Sequence, residues 1–180
     1  TPAPAFDSSI IAGLGARNIG SAAMSGRISS LDAVTMPDGK LMVWVGAASG
    51  GVWKSLDGAT TFTPVFDDQP VQSIGAVEID KRNTDTVWVG TGEAWTRNSV
   101  SIGNGIYKTT DGGDSWQHLG LDGSERISDL RIDPRASDTV YACVTGRLWS
   151  DSLERGVYRT RDGGKTWQQV LQAPNASTGC

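Results

Sequence analysis

Apolar positions along this chain come in short runs rather than long stripes. From Ile127 the sequence reads ISDLRID, halts at PRASD, resumes as TVYACV, halts again, and continues as GVYRT and then WQQVL. Runs of this length, rich in β-branched and aromatic residues and bounded by Gly, Pro and Asp, predict strands joined by turns. No segment holds a 3.6-residue apolar period over the ten or more positions that a helix needs.

The pattern then repeats. GVWKSLDGATTF begins at Gly51, GIYKTTDGGDSW at Gly105 and GVYRTRDGGKTW at Gly156. In each, a glycine stands six residues before an aspartate and an aromatic ring five after it. Asp57 and Asp111 are 54 residues apart, Asp111 and Asp162 are 51 apart. A second phrase recurs upstream, IDKRNTDTVWVGTG from Ile79 and IDPRASDTVYACVTG from Ile132, with a fainter copy, VTMPDGKLMVWVGA, from Val34. Four short antiparallel strands repeated about every fifty residues predict β-propeller blades. The expected fold is therefore all-β, with about three four-stranded blades spanning 26–70, 71–125 and 126–174. An amino-terminal segment, 1–25, would carry a ring-closing strand, and 175–180 would begin a further blade or form a tail. Closed propellers typically have four to eight blades. Three blades make a partial propeller, expected to join the remaining blades of a longer parent or a second copy of itself, because open sheet edges invite pairing.

The aspartate turns look chemical, but their equivalence argues otherwise. Catalysis needs one special carboxylate, whereas Asp57, Asp111 and Asp162 hold the same place in three repeats. The expected roles are structural. Each aspartate accepts bonds from backbone N–H groups a residue or two ahead, Gly58, Gly112 and Gly163 or their neighbours take positive φ, and Phe62, Trp116 and Trp167 anchor the turns. SLDGATTF, TTDGGDSW and TRDGGKTW resemble the Asp-box, or BNR repeat, of sialidases, xyloglucan-cleaving glycosidases, photosystem assembly factors and sortilin-like receptors. RNIGSAAMSGRISSLDAV and VWVGTGEAWTRNSVSIGNGIYKTTDGGDSW resemble the opening blades of large bacterial sortilin-like proteins that are labelled glycosyl hydrolases by analogy. The resemblance spans roughly residues 14–170 and implies a propeller; it says little about chemistry.

That resemblance allows a check on catalysis. Xyloglucan-cleaving propellers carry an aspartate just before a Gly-Gly-aromatic strand of the first blade, and the matching stretch here is AASGGVW, with Ala48 in the aspartate's place. The arginine and tyrosine set of a sialidase has no counterpart around MSGRISS. The sole histidine, His118, lacks a nucleophile partner, and two cysteines with one histidine show no metal-ligand spacing. No cofactor and no metal site are expected.

Charge and composition narrow the partners. A formal net charge of −4 without a basic run disfavours nucleic acid, and no apolar stretch approaches a membrane span. The opening TPAPAF, without an initiator methionine, suits either a mature end left by signal-peptide cleavage or an artificially chosen start; the resemblance, more than these residues, implies a secreted or periplasmic protein. Cys143 reads as a small buried hydrophobe within a strand, with its pairing to Cys180 left open. Asn175 begins a glycosylation triplet.

Function is expected where loop length varies. The second-to-third-strand loop is short in the first unit and long in the next two, and loop excess on a rigid scaffold is where binding groups collect. The two long loops, TGEAWTRNSVSIGN and TGRLWSDSLER, offer Glu93, Trp95, Arg97 and Asn98 in one, and Arg147, Trp149, Asp151, Glu154 and Arg155 in the other. Aromatic rings beside hydrogen-bonding charges suit a peptide or carbohydrate ligand. The plain alternative has both tryptophans capping blade cores and the charges pairing with one another. Catalytic residues are otherwise absent from this reading; Glu93 is the best local carboxylate if the chain belongs to a glycosidase whose second carboxylate lies elsewhere.

Overall fold

The computed structural model describes residues 27–97 and 100–172. The expected ring-closing strand, Asn98, Asn175 and Cys180 lie outside these residues. The chain forms three four-stranded antiparallel sheets in sequence order. The first contains β1 (Ile28–Thr35), β2 (Leu41–Ala47), β3 (Gly51–Ser55) and β4 (Thr63–Pro64). The second contains β5 (Ile74–Ile79), β6 (Val87–Thr91), β7 (Ile106–Thr109) and β8 (Gln117–His118). The third contains β9 (Ile127–Asp133), β10 (Ala136–Val144), β11 (Gly156–Thr160) and β12 (Gln168–Gln172). The helical element among the described residues is a 3-10 turn at Asp122–Ser124.

Strand lengths depart from the sequence pattern at the outer edges. TPVF shrinks to the two-residue β4, and β12 starts only after Trp167, whose ring the preceding turn uses. β10 starts earlier than TVYACV, because Ala136 already pairs with Asp133 across the hairpin. Cys143 is buried as expected, but it is not a free thiol: it is disulfide-bonded.

The apolar core lies between blades rather than within them. Trp44, Val52 and Phe66 of the first blade pack with Ile74, Val77 and Tyr107 of the second. Trp88 and Ile106 of the second pack with Ile127, Leu130 and Val140 of the third. Sheets meet face to face where a strand has apolar residues on both faces, as the fully buried β6 shows. The blades approach closely at Gly46 and Gly90, where a Cβ would stand 2.6 Å from the Ile74 side chain and 2.5 Å from that of Ile127.

Innermost strands β1, β5 and β9 stand side by side, so each has an edge without a sheet partner. Side chains fill that role at the first junction. The Val77 N–H donates to Ser30 Oγ at 2.9 Å and the Ile79 N–H to Asp32 Oδ2 at 2.7 Å, satisfying backbone donors that burial would otherwise penalise.

Candidate functional site

Two faces of this array carry distinct chemistry. On one face lie the three aspartate turns. Asp111 Oδ1 accepts from the Ser115 N–H at 2.9 Å and from Thr109 Oγ1 at 2.6 Å, while Oδ2 accepts from Ser115 Oγ. Asp162 repeats this with Thr166 and Thr160, and Asp57 with Thr61 and Ser55. The bonds reach four residues ahead, not one or two, so each carboxylate spans a whole turn. A second hydroxyl, unforeseen in the sequence, completes the turn: Thr109 Oγ1 donates to Asp111 and accepts the Gly113 N–H at 2.9 Å. Its signal was present as Ser55, Thr109 and Thr160, each two residues before an aspartate.

These bonds favour the charged carboxylates. Asp57 is held down to about 2, chiefly by the Thr61 amide and hydroxyl, and Asp162 to about 2, chiefly by the Thr166 hydroxyl and amide. Asp111 is lowered as well, by the hydroxyls of Ser115 and Thr109. A carboxylate so firmly ionised is a poor proton donor near neutrality. Next to each later turn, the tryptophan reaches the preceding blade: Trp116 Nε1 donates to the Val65 carbonyl at 2.6 Å and Trp167 Nε1 to that of Leu119 at 2.8 Å.

The opposite face gathers the long loops and the connections between blades. The Gly103 N–H, in the β6–β7 loop, donates to the Glu125 carbonyl, in the β8–β9 connection, at 2.7 Å. The Glu125 carboxylate holds Arg126 at 2.8 Å and Arg147, from the β10–β11 loop, at 3.4 Å. Glu125 thus joins both long loops, and it does so in a left-handed backbone conformation, φ 52°, which is uncommon for a residue with a side chain.

The sequence-predicted residues separate on this face. Trp95 and Trp149 are 63% and 72% exposed; neither caps a core, which overturns the plain reading for both. Arg97, Arg147 and Asp151 are exposed around them. Glu93 is fully buried: its carboxylate pairs with the Arg27 guanidinium, and Oε2 has no hydrogen-bond partner among the described residues. Arg155 is buried too, donating to the carbonyls of Thr145, Arg147 and Ser150, and so shapes the β10–β11 loop from within. Glu154 is held by Ser152 Oγ at 2.9 Å, and its carboxyl lies below the usual range, first through its own backbone N–H. Ala48 is buried directly after β2, its N–H donating to the Arg27 carbonyl.

Sequence reasoning missed Arg27, Glu125 and Arg126. The signal was the repeated triplet Arg-Ile-Ser, at Arg27 and again at Arg126. Between the first two blades this face opens a cleft of about 230 Å³, whose walls include Ser49, Val71, Gln72, Ser101 and Ile102.

Comparison with known proteins agrees with this architecture. A probable oligoxyloglucan-reducing end-specific xyloglucanase of Neosartorya fischeri is 35% identical over 81 residues, which cover 43% of this chain and 9% of that protein. The chain therefore spans a small part of that relative's length. An ancestral GH74 enzyme superposes with a TM-score of 0.58 at 20% identity, covering 81% of this chain and 18% of the other. The GH74 xyloglucanase of Xanthomonas campestris gives 0.51 at 16% identity, covering 79% and 23%. Both likenesses concern the propeller fold. The sequence profile described as "Sortilin, neurotensin receptor 3" matches residues 50–178, most of the chain, and the protein belongs to the Sortilin-Vps10 family.

Proposed function

We propose that this chain is part of a binding propeller that takes a carbohydrate or peptide ligand on its loop face, with Trp95 and Trp149 as stacking surfaces. The observation that carries the reading is the exposure of two large rings on neighbouring long loops. Exposed indoles cost solvation and are retained where they have something to cover; their flat faces suit sugar rings or extended peptide. Arg97, Arg147 and Asp151 supply the polar contacts that fix orientation. Of the two ligand classes, the xyloglucanase relative favours an oligosaccharide. The Sortilin-Vps10 membership supports a secreted or periplasmic setting.

The competing reading is a glycosidase with Glu93 as one carboxylate. Its burial against Arg27 opposes that role, because a general acid must reach the scissile oxygen. The test is calorimetric titration with xyloglucan oligosaccharides and with a peptide library, alongside a turnover assay. Trp95→Ala and Trp149→Ala should each weaken binding about tenfold, near 1.4 kcal/mol, with melting unchanged. Unaltered affinity in both variants would overturn the site. Turnover abolished by Glu93→Gln would favour the enzyme.

A further inference from the structure

One position recurs at the foot of each blade's first strand. Arg27, Ser73 and Arg126 each stand just before the isoleucine that opens β1, β5 and β9. The backbone carbonyl of each accepts an N–H from the residue after the second strand, Ala48 at 2.9 Å, Gly92 at 2.7 Å and Thr145 at 3.0 Å. Their side chains go different ways. Ser73 Oγ accepts the Glu93 N–H at 3.1 Å and donates to the Ser101 carbonyl at 3.0 Å. Arg126 donates to the neighbouring Glu125 carboxylate and to the Gly146 carbonyl of its own blade. Among the described residues, Arg27 alone of the three crosses to the next blade, where its guanidinium meets the fully buried Glu93 carboxylate.

Arg27 thereby joins both walls of the cleft between the first two blades. Its carbonyl holds Ala48, next to Ser49 in one wall. Its guanidinium holds Glu93, whose own N–H donates to the Ser101 carbonyl at 3.2 Å and so fixes the other wall, with Ser101 and Ile102. Glu93 also lies two residues before Trp95 in the same loop. The β10–β11 loop is fastened otherwise, by Arg155 donating to three carbonyls of the loop that carries Trp149. The residues that line the cleft, such as Ser49, Gln72, Ser101 and Ile102, are uncharged, and an unpaired charge entering it would lose its hydration without compensation.

We propose that Arg27 and Glu93 are positioning residues that brace the cleft and the root of the Trp95 loop as one preformed surface, a role that rests on the binding function proposed for the loop face. The cleft takes an uncharged sugar unit of the ligand, and the ion pair keeps it at a fixed spacing from the Trp95 ring. Removing one partner leaves the other charge buried and unpaired, which displaces the loop and Trp95 with it. Trp149, on its separately fastened loop, stays in place.

The experiment labels the full chain with fluorinated tryptophan and reads the fluorine resonances of Trp95 and Trp149, assigned by Trp95→Phe and Trp149→Phe. Arg27→Met should shift or broaden the Trp95 resonance and leave that of Trp149 unmoved. Arg27→Lys should keep both near their wild-type positions, and Arg155→Met should move Trp149 alone. Where Arg27→Met does not fold, Glu93→Gln gives the same readout. An unmoved Trp95 resonance in the folded variant, or equal movement of both rings, would overturn the proposal. Titration with xyloglucan oligosaccharides is the second arm: Arg27→Met and Trp95→Ala should each weaken binding about tenfold, and the double variant should lose less than the two losses combined. Losses that simply add would overturn the coupling. The resonances decide the bracing role whether or not an oligosaccharide binds, whereas absence of binding in the wild type strikes the ligand alone.

Discussion

Phe62 and Trp116 occupy the same place in their turns, five residues after the aspartate, yet they live in different surroundings. Trp116 stands edge-on to Trp44 and Phe66 of the preceding blade, with centroids 6.2 and 5.0 Å away, and its N–H is bonded to Val65. Trp167 repeats the arrangement against Trp88 at 6.2 Å. Phe62 is 39% exposed and makes no ring contact among the described residues. The neighbouring glycines differ in step. Gly113 and Gly164 have φ of 99° and 96°, and a Cβ on either would stand about 3 Å or less from the ring of Trp44 or Trp88. The first turn places Ala59 there at φ 67°. Among the described residues, the same loop is therefore a hairpin closure in the first blade, and a joint between blades in the other two.

The largest expected effect follows from that difference. Trp116→Ala removes an interblade ring and its bond and should destabilise by about 3 kcal/mol, whereas Phe62→Ala should cost under about 1 kcal/mol. Equal losses in urea unfolding would erase the distinction between joint and closure. Gly113→Ala comes next, at about 2 kcal/mol, from the left-handed φ together with the close approach of Trp44.

Acid should treat the turns alike, because the bonds to the carboxylates are local to each. Their folded-state values are depressed, so the stability they contribute is present above the ordinary 3.8 and is lost as pH falls toward about 2. Melting followed from about pH 5 to about pH 2 should show this loss in the wild type, and Asp57→Asn and Asp162→Asn should each flatten it by a similar amount. A selective effect of Asp162→Asn would mean that the joint, not the turn, sets the carboxylate's environment. The smallest effect is a gain: Ala59→Gly relieves a left-handed alanine and should stabilise by up to about 1 kcal/mol, readable as a small rise in Tm.

The candidate site was legible only in outline. Loop length pointed to two segments, and Trp95 and Trp149 are exposed there. Glu93 was indistinguishable from them in sequence, because its burial comes from Arg27, at the start of another blade. Arg155 looked like one more loop charge, while its guanidinium is occupied by three carbonyls of its own loop. Exposure of a loop residue depends on what distant chain covers it, and local patterning carries no record of that.

By itself the sequence determined what is settled within about a dozen residues: the strands, through their β-branched and aromatic runs; the turns, through aspartate and positive-φ glycine; and the number of units, through their repeat. Tertiary structure decided what lies between blades. The core sits there, the glycines at Gly46 and Gly90 are needed there, and three equivalent turns become one closure and two joints there. The physical reason is range. Backbone hydrogen bonds in a hairpin join residues close along the chain, whereas packing of one sheet on another is set by shape at contacts 28 and 37 residues apart, such as Gly46 with Ile74 and Gly90 with Ile127.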